Sequence, residues 1–316
     1  MKRVFITHIT VDYLEVAINL AKSIKLFSNI PLIVYCINIS NEEIIKLLKF
    51  NNVYVRNIDL DISDKSITDY DIIESGNFYV NRNSERIYKI LCAKTIAMEM
   101  AIEEGWDEIC YLDSDCLATP LINDLFNWMP LVSDYPIGTQ GIHGYMMYVD
   151  ENGEHGNPFL NGTWPTPDNK LALEWPLMQF LQLKETDRGV YRTTGIMLMN
   201  RNCLGFIKTW KELCYVLVKL VDTFYYAPYH EETIYNVLSW KKSNIGFPLC
   251  YVNICDGLDT VKKIYTDSKE GDYTWSEKDT PKRFYKIPED KKHIKVLHGE
   301  KRNEEVDKIL DYLKQI

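Results

Sequence analysis

Glu108-Ile109-Cys110-Tyr111-Leu112-Asp113-Ser114-Asp115-Cys116-Leu117 is the stretch on which the reading of this chain turns. The apolar run Ile109–Leu112 is too short for a helix and reads as a strand buried on both faces. It stops on two aspartates one residue apart, and apolar residues resume after them. Asp-x-Asp occurs three times, at Asp59/Asp61, Asp69/Asp71 and Asp113/Asp115, so the tripeptide by itself decides nothing. Asp69/Asp71 has no strand before it, and Asp59/Asp61 belongs to a broadly acidic stretch. Only Asp113/Asp115 terminates a strongly apolar strand. In open α/β sheets ligands bind beyond the carboxyl ends of the strands. Two carboxylates fixed there can hold one divalent cation and leave its other positions to phosphate oxygens. A strand-end turn with an aspartate cap is the plain alternative.

Upstream, Val4–Ile9 reads as a buried strand. Val16, Leu20, Ile24 and Phe27 then recur at helical spacing between Tyr13 and Phe27. Leu32–Ile37 is a second strand. Ser40 and Glu43 form a capping box opening a helix with Ile44, Leu47 and Leu48 inward, and Val53–Ile58 is a third strand. This alternation predicts a parallel α/β unit. Residues 59–77 are polar and acidic, a loop. Ser84 to Glu104 reads as a long helix with Ile87, Leu91, Thr95, Met98 and Ile102 on one stripe, ended by Gly105.

Downstream, a short helix follows Pro120. Residues 138–162 hold six of the fifteen glycines and read as irregular loops, the usual address of a binding site. Gly195–Asn200 reads as a strand, Asn202 to Leu220 and Glu231 to Trp240 as helices, and Ile294–Leu297 as a late strand. Arg302 to Ile316 closes the chain as a helix with Val306, Ile309, Leu310 and Leu313 inward. Alternation is clear only in the first third. The expected fold is therefore α/β, a Rossmann-type sandwich whose central sheet is mixed but mainly parallel, with helices on both faces.

The 316 residues suffice for one large α/β domain, with 46% hydrophobic and 26% charged residues as in ordinary globular chains. A net charge of −9 argues against nucleic acid as a partner, because phosphate backbones need a cationic footprint. An anionic substrate would need a local cation. The apolar run after Met1-Lys2-Arg3 stops at Thr7-His8, too short for a signal-peptide core, and no run is long enough to cross a membrane. The eight cysteines include no Cys-x-x-Cys pair, so reduced thiols in a cytoplasmic protein are expected.

Tyr111-Leu-Asp-Ser-Asp-Cys-Leu117 resembles the Asp-x-Asp motif of GT-A-fold glycosyltransferases, which use a nucleotide-sugar donor and usually Mn²⁺. The pattern is most similar to family 8, the retaining galactosyltransferase and glycogenin group. Phe5-Ile-Thr-His-Ile-Thr-Val-Asp-Tyr13 resembles the first strand and nucleotide loop of that group. The resemblance implies that Tyr13 stacks on uracil, with Thr7 and His8 at the strand end. Asp59 falls where the group places a base or ribose contact. Lys89 and Lys94 fall where it carries a basic residue facing the donor. Thr194-Gly195-Ile-Met-Leu-Met-Asn200 resembles its Gly-Val-Leu-Leu-Asn strand, and Glu231-Glu232-Thr-Ile-Tyr-Asn236 its Asp-Gln-Asp helix start. His298-Gly299-Glu300-Lys301 resembles its late His-x-x-Gly-x-x-Lys, in compressed form.

The resemblance implies a single GT-A-like domain, with residues 1–115 as the nucleotide-binding half and 116–316 as the acceptor-binding half. It implies a hexosyltransferase taking a UDP-sugar donor and a glycan or other hydroxyl acceptor. Asp113, Asp115 and His298 would hold Mn²⁺ or Mg²⁺, with Ser114 between the acids and Gly299 and Lys301 meeting the diphosphate. Carboxylate with imidazole suits such a metal better than a thiolate-loving one. Glu231 or Glu232 could shield the cationic carbon of a retaining reaction, or serve as the base of an inverting one; their place in a helix's first turn also suits acids for the dipole alone. Two rivals stand beside this reading. One is a phosphohydrolase of the haloacid dehalogenase type, which also uses a strand followed by Asp-x-Asp. The other is a domain that binds a nucleotide sugar or glycan without turnover.

Overall fold

The computed structural model describes residues 1–62, 85–140, 148–149, 155–156, 174–187, 189, 192–217, 230–242, 245–248, 251–253, 257–266, 273–275, 284–286, 294–299 and 305–316. The first half runs β1 (Arg3–Ile9), α1 (Leu14–Phe27), β2 (Leu32–Ile37), α2 (Asn41–Leu47), β3 (Val53–Ile58), α3 (Glu85–Glu103) and β4 (Glu108–Leu112). Then come β5 (Cys116–Ala118), a 3₁₀ segment over Ile122–Leu131, β6 (Ile137–Gln140), β7 (Tyr148–Val149), β8 (His155–Gly156), α4 (Glu174–Phe180) and β9 (Arg192–Asn200). The last part holds α5 (Leu204–Leu217), α6 (His230–Trp240), β10 (Tyr251–Asn253), α7 (Leu258–Thr266), β11 (Tyr273–Trp275), β12 (Phe284–Lys286), β13 (Val296–His298) and α8 (Val306–Leu313).

Six strands form the central sheet in the order β3-β2-β1-β4-β9-β6. The first four are parallel, and β9 runs antiparallel to both β4 and β6. The fold is thus the mixed, mainly parallel α/β sandwich that the sequence predicts. Its order reverses at β1, which has β2 on one side and β4 on the other, so the carboxyl ends of β1 and β4 flank a topological switch point. Continuous apolar sequence makes β2 and β4 buried at every position. The Ser40–Glu43 capping box is present, with both reciprocal bonds formed.

The structure departs from the sequence reading in four places. Residues 138–140, assigned to irregular loop, are part of β6. The segment after Asp115 is a strand, β5, pairing antiparallel with β13 so that Cys116 stands opposite His298. The late strand covers Val296–His298 rather than 294–297, and α8 spans only Val306–Leu313. Finally, α3 is not amphipathic. Cys92, Ala93, Lys94, Thr95, Ala97, Met98 and Ala101 are all buried, because the sheet covers one side and α5 and α6 cover the other. Its end follows expectation: the Gly105 amide bonds to the Ile102 carbonyl and the Trp106 amide to Ala101, with Gly105 at φ 85°.

A second, smaller apolar cluster joins Leu117, Leu297, Val261, Ile264, Val306, Ile309, Leu310 and Leu313. It seats α7 and α8 on β5 and β13, and so fixes the strand that ends on His298. In the main core Trp210 is fully buried against Tyr235, ring centroids 5.3 Å apart, and its Nε1–H donates to the Glu231 carbonyl at 2.7 Å. That bond secures the first turn of α6. Trp210→Ala removes both the ring and this donor, and should lower unfolding free energy by about 3–5 kcal/mol in urea titration.

Candidate active site

Asp113 follows the last residue of β4, and its amide donates to the Gly195 carbonyl of β9 at 2.8 Å. Strand alternation puts Tyr111 on the same side as Asp113, so the Tyr111 hydroxyl reaches Asp113 Oδ1 at 3.0 Å. Lys94 Nζ stands 3.4 Å from the same oxygen. Asp113 Oδ2 faces the other way, 3.6 Å from His298 Nε2. Asp115 Oδ1 lies 3.3 Å from that nitrogen. The β5–β13 pairing accounts for this meeting of positions far apart in sequence. His298 is followed by Gly299 at φ 86°, a turn that only glycine takes freely.

These groups suit a divalent cation. Two ligands at about 2.1 Å on adjacent octahedral corners stand about 3 Å apart, so the spacings from His298 Nε2 to Asp115 (3.3 Å) and to Asp113 (3.6 Å) each suit a pair of ligands on one ion. The three-residue group that closes among the described residues is Asp115, Cys116 and His298, with Asp113 beside it. Space is kept by Gly195: a Cβ there would sit 2.8 Å from Asp113 Oδ2 and 3.6 Å from His298 Nε2. Cys116 Sγ joins Asp115 and His298 within 4.8 Å. Sequence reasoning missed Cys116, since a three-residue strand leaves no periodic signal. It also missed Tyr111, which the period of two along β4 could have pointed to.

Behind this group lies a buried cation. Lys94, 3% exposed, donates to the Thr194 carbonyl at 3.1 Å and to Thr194 Oγ1 at 3.0 Å. It also faces Glu231 Oε1 at 3.5 Å and lies over the Tyr111 ring, 4.9 Å from its centroid. Burial would drive the proton off Lys94, but Asp113, Glu231 and Glu232 outweigh it and hold its pKa above the usual lysine value. Glu232 Oε2 accepts from the Thr194 amide at 2.9 Å and its hydroxyl at 3.3 Å. Burial raises both glutamates, Glu232 to about 6. Glu231 Oε2 is buried and makes no hydrogen bond among the described residues.

The nucleotide-side candidates are distributed differently. Tyr13 is partly exposed just past β1, Asp59 is exposed just past β3, and Ser114 is half-buried between the two acids. Thr7 is fully buried, with no hydrogen bond to its Oγ1 among the described residues. Lys89 donates to the Asp61 carbonyl at 2.9 Å. The His8 ring contacts the Ile90 carbonyl at 3.0 Å and the Tyr111 hydroxyl at 2.9 Å. Burial and the Lys94 charge lower its pKa to about 4, so it is neutral. Lys301 and nearly all of residues 141–173 lie outside the described residues. Among the described residues, six cysteines are buried and form no disulfide, and no helix is long and apolar enough to cross a membrane.

No family model matches the chain, and no curated protein matches it. In overall shape it is similar to mouse xyloside xylosyltransferase 1 in the apo form, at 14% identity over 95% of this chain and 98% of that one, TM-score 0.48. It is similar also to the galactosyltransferase LgtC in complex with donor and acceptor sugar analogs, at 12% identity over 99% and 96% of the two chains, TM-score 0.47. A third is the apo bifunctional glycosyltransferase WbbM, at 16% identity over 79% of this chain and 39% of that one, TM-score 0.43.

In the metal-free protein, burial would lower the His298 pKa, but Asp115 and Asp113 raise it to about 10. A group raised in the folded state adds stability that is complete below its unfolded value of 6.5 and is lost as pH climbs through the folded one. In EDTA, the stability advantage of the native chain over His298→Asn should therefore be largest near pH 6 and shrink steadily toward pH 10, as read by urea unfolding across that range.

Proposed function

We propose that this chain is a metal-dependent hexosyltransferase, moving a sugar from a UDP-sugar to a hydroxyl of a glycan or other acceptor with retention of configuration. One observation supports the reading most. Asp113 Oδ2 and Asp115 Oδ1 both face His298 Nε2, with Gly195 leaving space beside Asp113 and His298, beyond the carboxyl end of β4 and next to the switch point. In this reading Asp113, Asp115 and His298 hold Mn²⁺ or Mg²⁺. When bound, the cation offsets the charge that gathers on the diphosphate as it leaves. A chain of net charge −9 needs such a cation to accept an anionic donor.

The protein's own groups then divide the remaining tasks. Tyr13, exposed just past β1, is assigned to the base, with Thr7 and His8 near the end of that strand, and Asp59 to the ribose. Ser114 and Gly299, with Lys301 by the motif resemblance, are assigned to the diphosphate. Glu232 is held by the Thr194 amide and fixes the edge of β9, with Gly195 next to it. Glu231 keeps an oxygen with no hydrogen bond among the described residues and is assigned to the sugar side, where a carboxylate stabilises an oxocarbenium-like centre. Lys94, 3.5 Å from Glu231 Oε1, opposes the effect of burial and favours the charged form that this role needs.

The test is release of free UDP from a panel of UDP-hexoses and UDP-xylose, with acceptor sugars present and with Mn²⁺ or EDTA. The expected result is Mn²⁺-dependent release that falls by about 10²–10³-fold in Asp115→Ala and in Gly195→Ala. Phosphate liberated from a phosphomonoester would instead identify a phosphohydrolase, and UDP-sugar binding without release a non-catalytic domain.

A further inference from the structure

We infer that Tyr111, His8 and Lys94 are positioning residues that fix the Asp113 carboxylate with Oδ1 turned into the protein and Oδ2 alone presented to the cation. The inference rests on the metal reading of the Asp113–Asp115–His298 group. It goes beyond it by giving His8 and Lys94 a place behind the site instead of against the donor.

The two oxygens of Asp113 have unlike surroundings. Oδ1 meets the Tyr111 hydroxyl at 3.0 Å and the Lys94 ammonium at 3.4 Å. Oδ2 meets His298 and the space over Gly195. The carboxylate is thereby divided into one oxygen for the protein and one for a ligand. Tyr111 is itself braced. Its hydroxyl lies 2.9 Å from His8 Nδ1, while His8 Nε2 is held 3.0 Å from the Ile90 carbonyl of α3. In a neutral ring with Nε2–H donating to Ile90, Nδ1 is an acceptor, so the single Tyr111 proton is shared between His8 and Asp113. Tyr111 therefore cannot turn away without taking its proton from both His8 Nδ1 and Asp113 Oδ1, of which the second keeps Lys94.

Lys94 sets the opposite wall by the same atom. Its ammonium holds Asp113 Oδ1 and both oxygens of Thr194, the residue before Gly195. The Asp113 amide bonds to the Gly195 carbonyl, so the aspartate and the glycine beneath it are tied together twice. A core needing only packing would be filled more cheaply by Phe and Leu than by a buried hydroxyl, imidazole and ammonium. Groups behind a metal ligand that set its orientation account for the polar choice.

The experiment is Mn²⁺ binding to the full chain, followed by the electron paramagnetic resonance signal of free Mn²⁺, with apo melting temperatures measured alongside. Tyr111→Phe keeps the ring and should weaken Mn²⁺ binding about 10–100-fold without lowering the apo melting temperature appreciably. His8→Leu should shift affinity in the same direction. His8→Asn, which offers an amide where Nδ1 stands, should restore most of it, as a packing role would not. If Tyr111→Phe proves unstable, the two His8 variants carry the test. Native affinity in both Tyr111→Phe and His8→Leu overturns the inference and leaves the metal reading standing. No saturable Mn²⁺ binding by the native chain, no different from Asp115→Ala, overturns both.

Discussion

An ammonium shut inside the protein is the interaction on which the site depends. Lys94 leaves α3 and joins Asp113 after β4, Thr194 on β9 and Glu231 on α6, three segments that nothing local in the chain brings together. Taking such a charge out of water is expensive, and it is tolerated here because carboxylates and carbonyl or hydroxyl oxygens enclose it. The dependence runs both ways. Removing one partner of a buried pair costs about 3–5 kcal/mol, mostly because the other charge is stranded.

The charges around Lys94 explain why a cation belongs next to it. Three carboxylates, those of Asp113, Glu231 and Glu232, act on Lys94, and Asp115 shares His298 with Asp113. Without a metal the surplus is relieved by protons. His298 keeps one well above neutrality, and burial draws the two glutamates toward their neutral forms. Asp113 is the exception: burial alone would raise it, yet Lys94 and His298 hold it far below the usual carboxylate range. On the proposed reading, proton and divalent cation would compete for the same imidazole nitrogen, so affinity for the metal should rise with pH.

Much of the frame was legible in the sequence, and for physical reasons. β1 and β2 announce themselves by apolar runs, β3 by β-branched residues after a helix, α1 by its spacing, and α2 by its Ser40–Glu43 box, all local signals. Asp113/Asp115 stood out from the other Asp-x-Asp pairs only because an apolar strand precedes it. The neighbourhood of Lys94 was not legible. The stripe from Ile87 to Ile102 marks one face of a helix that is buried on others too, so it gives no sign that Lys94 is enclosed. Nor was the β5–β13 pairing, since three-residue strands carry no pattern and their register is set by distant packing under α7 and α8. The motif resemblance placed His298 beside the aspartates where periodicity could not. The resemblance placed His8 at the strand end and gave no sign of the Tyr111 hydroxyl on the neighbouring strand.

Anomalous diffraction at the manganese edge, from crystals grown with Mn²⁺ and UDP, tests the central claim most directly. The account requires one strong peak coordinated by Asp113 Oδ2, Asp115 and His298 Nε2, with Asp113 Oδ1 still on Tyr111. A nucleotide bound with no peak there, or an ion held through Asp113 Oδ1 with His298 turned away, would contradict it.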